Sequence, residues 1–361
     1  MAEGKRKVTR MAGKLYSVQY LRGLAALLVV IAHASAHPLA DPTYLQLRLG
    51  QFGVYLFFVI SGFIMVAISG SGPFSALEFL KRRAIRIVPL YWIFTTLAAL
   101  LALLAPTLFK STVFTLEHYV QSMLFIPHEA PGRGGTSPLL SLGWTLNYEV
   151  FFYLAFALLA GLAATGRVVT LTIGFVALYI AGATLRPTDP LLSFYMTHAV
   201  LAFVAGAWVG LGQIKGVFAR LPSPAMLGLV GLAVVAAVVA FGLDQTPHET
   251  APVFVALVVL AVALLVLGLV REAVLPRSAW LERLGDASYA TYLVHMFVVG
   301  AVVGVGTRLL PDGPLSYFGM VAAAIGLALL AGVIVHERIE KPLLRMLHKR
   351  PAAVRAAVPA Q

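Results

Sequence analysis

The sequence predicts an all-α polytopic membrane protein with about ten transmembrane helices and both termini cytoplasmic. Three observations carry this. Of the 361 residues, 60% are hydrophobic and only 12% are charged; mean hydropathy is +0.89, and no soluble fold needs that much apolar surface. The apolar residues run without the alternation that strands of an outer-membrane barrel require. Lysine and arginine gather on alternate loops, which sets orientation.

Hydropathy windows place spans near 17–37, 52–69, 87–105, 144–163, 168–185, 195–213, 225–243, 251–270, 287–306 and 315–335. One side collects the N-terminal cluster Lys5, Arg6, Lys7, Arg10 and Lys14, then Lys81-Arg82-Arg83 with Arg86, Arg167, Lys215 with Arg220, 271–283 and the tail from 338 to 355. The other side holds only Arg48, Lys110, Arg133, Arg186 and Arg308. The basic side is therefore cytoplasmic. The formal net charge of +12 is explained by these loops, so no nucleic-acid partner is expected. With no cysteine, disulfides, thiolate catalysis and an acyl-cysteine intermediate are excluded. The expected organisation is a basic cytoplasmic N-terminus at 1–14, a transmembrane domain at 15–336 and a basic cytoplasmic tail at 337–361, with no appended soluble domain and no internal repeat of the transporter kind.

The first span opens after basic residues and ends in Ala34-Ser35-Ala36, which imitates a signal peptide and its cleavage site. Arg22 interrupts the run, so an uncleaved span is expected. Arg22 and His33 are eleven residues apart, close to three helical turns, and share a stripe about 16 Å long. A charge inside a membrane helix costs about 3 kcal/mol; such residues face a protein interior or polar cavity and mark function.

The second span contains FFVISGFIM and the sixth FVAGAWVG, whose glycines suit close helix packing. The third opens with FLKRRAIRIVPLYW. Arg83 and Arg86, three apart, share a face at the expected helix N-terminus, with Pro89 in the first turn. Guanidinium forks beside free N–H groups hold phosphates well, whereas Lys81 and Arg82 read as head-group anchors among membrane lipids. The external loop at 106–143 carries a short interfacial helix within 115–127 and a Gly/Pro-rich turn at 131–135.

The fourth span enters with LGWTLNYEVFFYL, placing Glu149 about 7–8 Å deep, level with His33. A carboxylate beside an imidazole fixes its tautomer and raises its basicity, as in general-base pairs; the alternative is two polar residues each bonded locally. The ninth span begins LGDASYATYLVHMFVV. Asp286 or Ser288 can cap it, and Ser288, Tyr292 and His295 form a stripe that faces the same cavity or packs through hydrogen bonds. His37 follows His33 at a spacing that can hold a metal, but no further ligand cluster is assured and no metal is expected.

An anion platform inside, a polar stripe across the bilayer and an outer His/Glu pair describe a reaction that spans the membrane. An activated anionic donor docks on the cytoplasmic side, and a hydroxyl acceptor arrives from outside. Two other readings use the same residues: a transporter or flippase of a lipid-linked sugar with Arg22, His33 and Glu149 as relay, and a scaffold subunit whose polar residues serve packing.

Several blocks in order resemble the acyltransferase-3 family of integral membrane acyltransferases: QYLRGLAALLVVIAHA, FGVYLFFVISGFIM, FLKRRAIRIVPLYW, LGWTLNYEVFFY and LGDASYATYLVH. The family's Arg-x10-His pattern falls on Arg22 and His33, its Arg-x-x-Arg pattern on Arg83 and Arg86. QYLRG and WTLNYEVFFY look most like the bacterial exopolysaccharide O-acetyltransferase subgroup. The chain departs at Gln19, where many members have Asp, and at Asn147-Tyr148-Glu149, where many have a Ser-Val-Glu-Glu-like segment. The resemblance implies O-acylation, usually O-acetylation, of a glycan or lipid-linked glycan outside a bacterial cytoplasmic (inner) membrane, with cytosolic acetyl-CoA as co-substrate. It implies that Arg83 and Arg86 bind the coenzyme A phosphates, that Arg22 lines the conduit for the pantetheine arm, and that His33 is general base with Glu149 orienting it. An acetyl-histidine intermediate is the alternative to direct attack. Trp144, Asn147, Tyr292 and His295 are the expected substrate-side residues.

Overall fold

The computed structural model describes residues 14–38, 43–105, 112–132, 134–243 and 249–348. The basic cluster at 5–10, His248 and the tail beyond 348 lie outside the described residues. Among those described, α-helices follow one another with no strand: α1 Tyr16–Ala36, α2 Tyr44–Ser69, α3 Ala76–Leu104, α4 Leu116–Met123, α5 Trp144–Leu158, α6 Ala164–Leu185, α7 Pro190–Tyr195, α8 Val200–Ile214, α9 Ser223–Val238, α10 Ala251–Arg271, α11 Ala279–Leu309, α12 Pro314–Val335 and α13 Lys341–His348. Eight helices, the last running on from α12 to His348, are long and apolar enough to cross a membrane. Two further expected spans, α5 and α8, are apolar but only 15 residues each, about 22 Å.

The bundle is built around α1, which lies between α2 and α11; α2 packs in turn on α8, and α11 on α12. The α2–α8 seam is close because glycines face it. A Cβ on Gly62 would collide with the Phe203 carbonyl oxygen, and one on Gly206 with that of Val59. Backbones can approach only where the side chains are this small. By contrast, α6 and α9 present exposed apolar faces, Ile173, Val234 and Val235 among them, as expected of surfaces facing lipid tails.

One end of the bundle is tied by polar contacts. Glu272, just past α10, caps α1: its carboxylate accepts from the Tyr16 and Ser17 N–H groups at 2.6 and 3.0 Å and from the Ser17 hydroxyl. Lys14 meets Asp286 at 2.8 Å and Glu282 at 3.5 Å. Those two acids hold its ammonium above the usual lysine range against a desolvation penalty. Buried Arg167 donates to the Gly72 and Leu162 carbonyls and lies 4.6 Å over the Phe74 ring. A carboxylate on the positive end of a helix contributes about 1–2 kcal/mol. Glu272→Ala is therefore expected to lower the thermal unfolding midpoint of detergent-purified protein, with Glu272→Gln intermediate. Equal midpoints would remove the cap from this account.

At the opposite end, α4 sits where a short interfacial helix is expected, capped by Thr115 through the His118 N–H. His118 and His128 rings meet at 2.6 Å; burial and the neighbouring imidazole push His118 down to about 4.

Three expected helix starts need correction. α2 begins at Tyr44, eight residues before the expected 52, so Arg48 lies buried within the helix and not in a loop. α3 begins at Ala76, capped by Ser75, so Arg83 and Arg86 stand two to three turns inside it and not at a free N-terminus. Polar helix starts lengthen past the hydropathic window, because Glu78, Lys81 and Arg82 are good helix formers. Pro89 is then interior and leaves the carbonyl four residues before it without a helical donor. Similarly, α11 begins at Ala279 with Ser278 as cap. Asp286 is released to hold Lys14, and Ser288 faces inward. The expected boundary at 336/337 also falls within continuous helix, because a π-helical turn, His336–Glu340, joins α12 directly to α13.

Candidate active site

Residues of α1, α2, α3, α5 and α11 line a partly open cavity of about 140 Å³. That is about the volume of an engineered apolar cavity that takes up benzene, so the space is large enough for a small organic group. Its charged lining is Arg22, Arg83 and Arg86 against the single carboxylate of Glu149. With Glu340 bound to Arg86 from behind, three guanidiniums meet two carboxylates, which leaves the space with a net positive charge that the low-dielectric walls intensify.

Each charge has a distinct setting. Glu149 accepts from the Ser61 hydroxyl at 3.1 Å and from Tyr153, one turn on in α5. Arg86 donates to Glu340 in the π turn, and its guanidinium lies 5.8 Å from the Tyr289 ring centre. The second Glu340 oxygen accepts from His336 Nδ1 at 2.6 Å. Two buried groups on the lining, Arg83 Nε and Ser288 Oγ, have no hydrogen-bond partner among the described residues. Orphaned donors on a positive cavity are what an anionic or ester-bearing ligand would satisfy.

Beyond the cavity the polar path continues along α11. Tyr292, on the lining, meets Thr145 Oγ1 at 2.8 Å and donates to the Leu142 carbonyl at 2.9 Å. The fully buried His295 ring follows at 5.9 Å between centres, then His33 at 5.1 Å. Hydrogen-bond partners settle the tautomers. Each Nδ1 faces a carbonyl, which can only accept: Val29 at 2.9 Å for His33 and Tyr292 at 2.7 Å for His295. Both rings therefore carry hydrogen on Nδ1. His33 Nδ1 also lies 3.4 Å from His295 Nε2, which leaves the His33 Nε2 lone pair free as a base.

The expected His33–Glu149 pair is not formed: no hydrogen bond or ion pair joins them among the described residues. Equal depth is not adjacency. Glu149 turns toward α2 and the arginines, and the imidazole partner of His33 is His295. Arg22, Arg83, Arg86, Glu149 and Tyr292 are brought to one cavity. Trp144 and Asn147 do not line it. Trp144 packs edge-on against Phe58 and Tyr148, while the Asn147 amide is buried with neither polar atom bonded among the described residues.

Sequence reasoning missed Ser61, Tyr289, Glu340 and His336. For the last two a signal existed, since a histidine and a glutamate four apart share a helix face. It also passed over the cluster at the opposite end, where Glu249 accepts from Tyr55 at 2.7 Å and pairs with His198 at 2.7 Å.

A family profile described as "Acyltransferase domain" matches residues 15–335. Exopolysaccharide production protein ExoZ of Rhizobium meliloti is 36% identical over 306 residues, covering 85% of this chain and 93% of that protein. Acyltransferase MdmB of Streptomyces mycarofaciens is 29% identical over 393 residues, covering 96% of each. No solved structure matches.

Proposed function

From the premise that the chain belongs to the acyltransferase-3 family and is an integral membrane acyltransferase, we propose that it moves an acetyl group from cytosolic acetyl-CoA to a hydroxyl of a surface or exported polysaccharide. The observation that carries this reading is the positive cavity with unsatisfied donors, continued through Tyr292 to a pair of adjacent histidines. Arg83 and Arg86 hold the donor's phosphates at the basic, cytoplasmic end of the bundle. Arg22 flanks the arm, and the thioester reaches toward His33, about three turns further along α1. His33 Nε2 takes the acceptor's hydroxyl proton as that oxygen attacks the thioester carbon. The new C–O ester bond forms, the C–S bond breaks, and the proton passes to the departing thiolate, which leaves as free coenzyme A. Glu149 balances the arginine charge. The exopolysaccharide-production role named for the Rhizobium relative supports a polysaccharide acceptor, and the basic loops support a bacterial cytoplasmic (inner) membrane.

The test is thermal stability of detergent-purified protein with acetyl-CoA, free coenzyme A or acetate. A ligand that binds only the folded state raises the midpoint, by about 2.7 kcal/mol of stability at a hundredfold its Kd. Both coenzyme A species are expected to stabilise the wild type, acetate is not, and Arg83→Ala/Arg86→Ala abolishes the shift. A folded wild type that ignores both at saturating concentration overturns the donor site and favours transport of a lipid-linked sugar.

A further inference from the structure

The cavity has a weakness that its own charges create. Arg86 and Glu149 line the same space, and an unrestrained arginine on a flexible stem would close onto that carboxylate, filling the cavity and cancelling the charge that draws an anion. Instead Arg86 is held from behind. Glu340, 1% exposed and absent from the cavity lining, takes one guanidinium nitrogen. His336, 5% exposed, takes the other Glu340 oxygen through Nδ1–H at 2.6 Å. Tyr289 covers the guanidinium face and is itself fixed by donating to the Ile87 carbonyl at 2.7 Å. The arrangement is placed by a π-helical turn, His336–Glu340, a departure from α-helix that recurs at functional positions. Here the turn joins α12 to α13 while presenting both side chains inward.

We infer that Glu340, oriented by His336, is a positioning residue for donor binding: it tethers Arg86 away from Glu149 and leaves the remaining guanidinium edge presented to a phosphate or pyrophosphate group. This rests on the donor reading of the cavity. The sign of the effect distinguishes tether from competitor. If Glu340 merely competed with phosphate for Arg86, neutralising it would tighten donor binding. If it is a tether, neutralising it lets Arg86 collapse onto Glu149 and weakens binding.

The experiment measures the Kd of free coenzyme A by calorimetry for the wild type, Arg86→Ala, Glu340→Gln and Glu340→Gln/Glu149→Gln, with the unliganded melting midpoint of each as the folding control. Glu340→Gln is expected to weaken coenzyme A at least about tenfold, equivalent to about 1.4 kcal/mol. Removing the trap in the double variant is expected to restore most of that loss, a rescue that a merely structural role would not give. An unchanged or tighter Kd in Glu340→Gln overturns the tether, as does weakening that the double variant fails to relieve. An unchanged Kd in Arg86→Ala overturns the donor site itself, so the two failures are separable. Should Glu340→Gln not yield folded protein, His336→Phe keeps the carboxylate but frees its second oxygen. It is expected to weaken coenzyme A in the same direction, and an unchanged Kd there counts against the tether.

Discussion

His33→Ala is expected to reduce acyl transfer by about 10²–10⁴-fold while leaving coenzyme A binding within about twofold of wild type, because the residue supplies a proton acceptor and no contact to the phosphates. The expectation rests on the tautomer. With Nδ1–H committed to the Val29 carbonyl, the ring presents Nε2 as an acceptor without a conformational change. The half-buried ring lies 5.1 Å from that of His295, which fixes its orientation. His295→Ala should act more mildly, since it removes a neighbour that orients the ring and not the base itself. Turnover of a model glycan acceptor by reconstituted protein measures the rate, and the coenzyme A melting shift measures binding. Loss of both together would mean that His33 holds the bundle and does not act on substrate. Retention of both would move the reaction elsewhere. The scaffold reading predicts the first outcome and acyl transfer the divergence between the two measurements.

How far the sequence leads is clearest in this pair. Apolar runs and basic loops are strong signals in lipid, since every backbone group must be satisfied within a helix; the ten expected spans accordingly coincide with helices to within several residues where the runs are apolar throughout. The starts of α2, α3 and α11 lie outside those windows, because polar or charged first turns look like loops to a hydropathy window. The depth of an intramembrane polar residue and its helix face can be counted from the sequence. That is why Arg22, Arg83, Arg86, Glu149 and Tyr292, all on the cavity lining, are legible from the sequence alone. Neighbours cannot be counted this way. His33 meets a residue 262 positions away, and Arg86 one 254 away. Nothing in either segment states which helices lie side by side, so comparable depth suggested Glu149 for a place that His295 fills. Glu340 was hidden for another reason: it lies in a stretch rich in Arg and Lys that reads as a solvated tail, and only the π turn buries it.

The α2–α8 seam should be the position least tolerant of added volume. In lipid there is little hydrophobic gain from bringing two apolar helices together, so their association depends on fit. Gly62 and Gly206 provide it reciprocally, each lying against a carbonyl of the other helix. A backbone carbonyl cannot rotate aside as a side-chain tip can, so a larger residue must push the helices apart along the whole seam. That displacement would carry Ser61, adjacent to Gly62, away from Glu149 and open the cavity wall. Overpacking of this kind costs about 1–3 kcal/mol for a single methyl group and more for a branched chain. Gly62→Ala is therefore expected to lower the melting midpoint, and Gly62→Leu or Gly206→Leu to abolish the monodisperse peak in size-exclusion chromatography of a detergent extract. Gly174→Leu is the matched control, because it adds the same side chain where no atom lies within 4 Å of the new Cβ, and better helix propensity there should leave the peak intact. If Gly62→Leu extracts as well as Gly174→Leu, the seam is not close-packed. The placement of Ser61 against Glu149 then loses its support, because Ser61 reaches that carboxylate only when α2 is held hard against its neighbours.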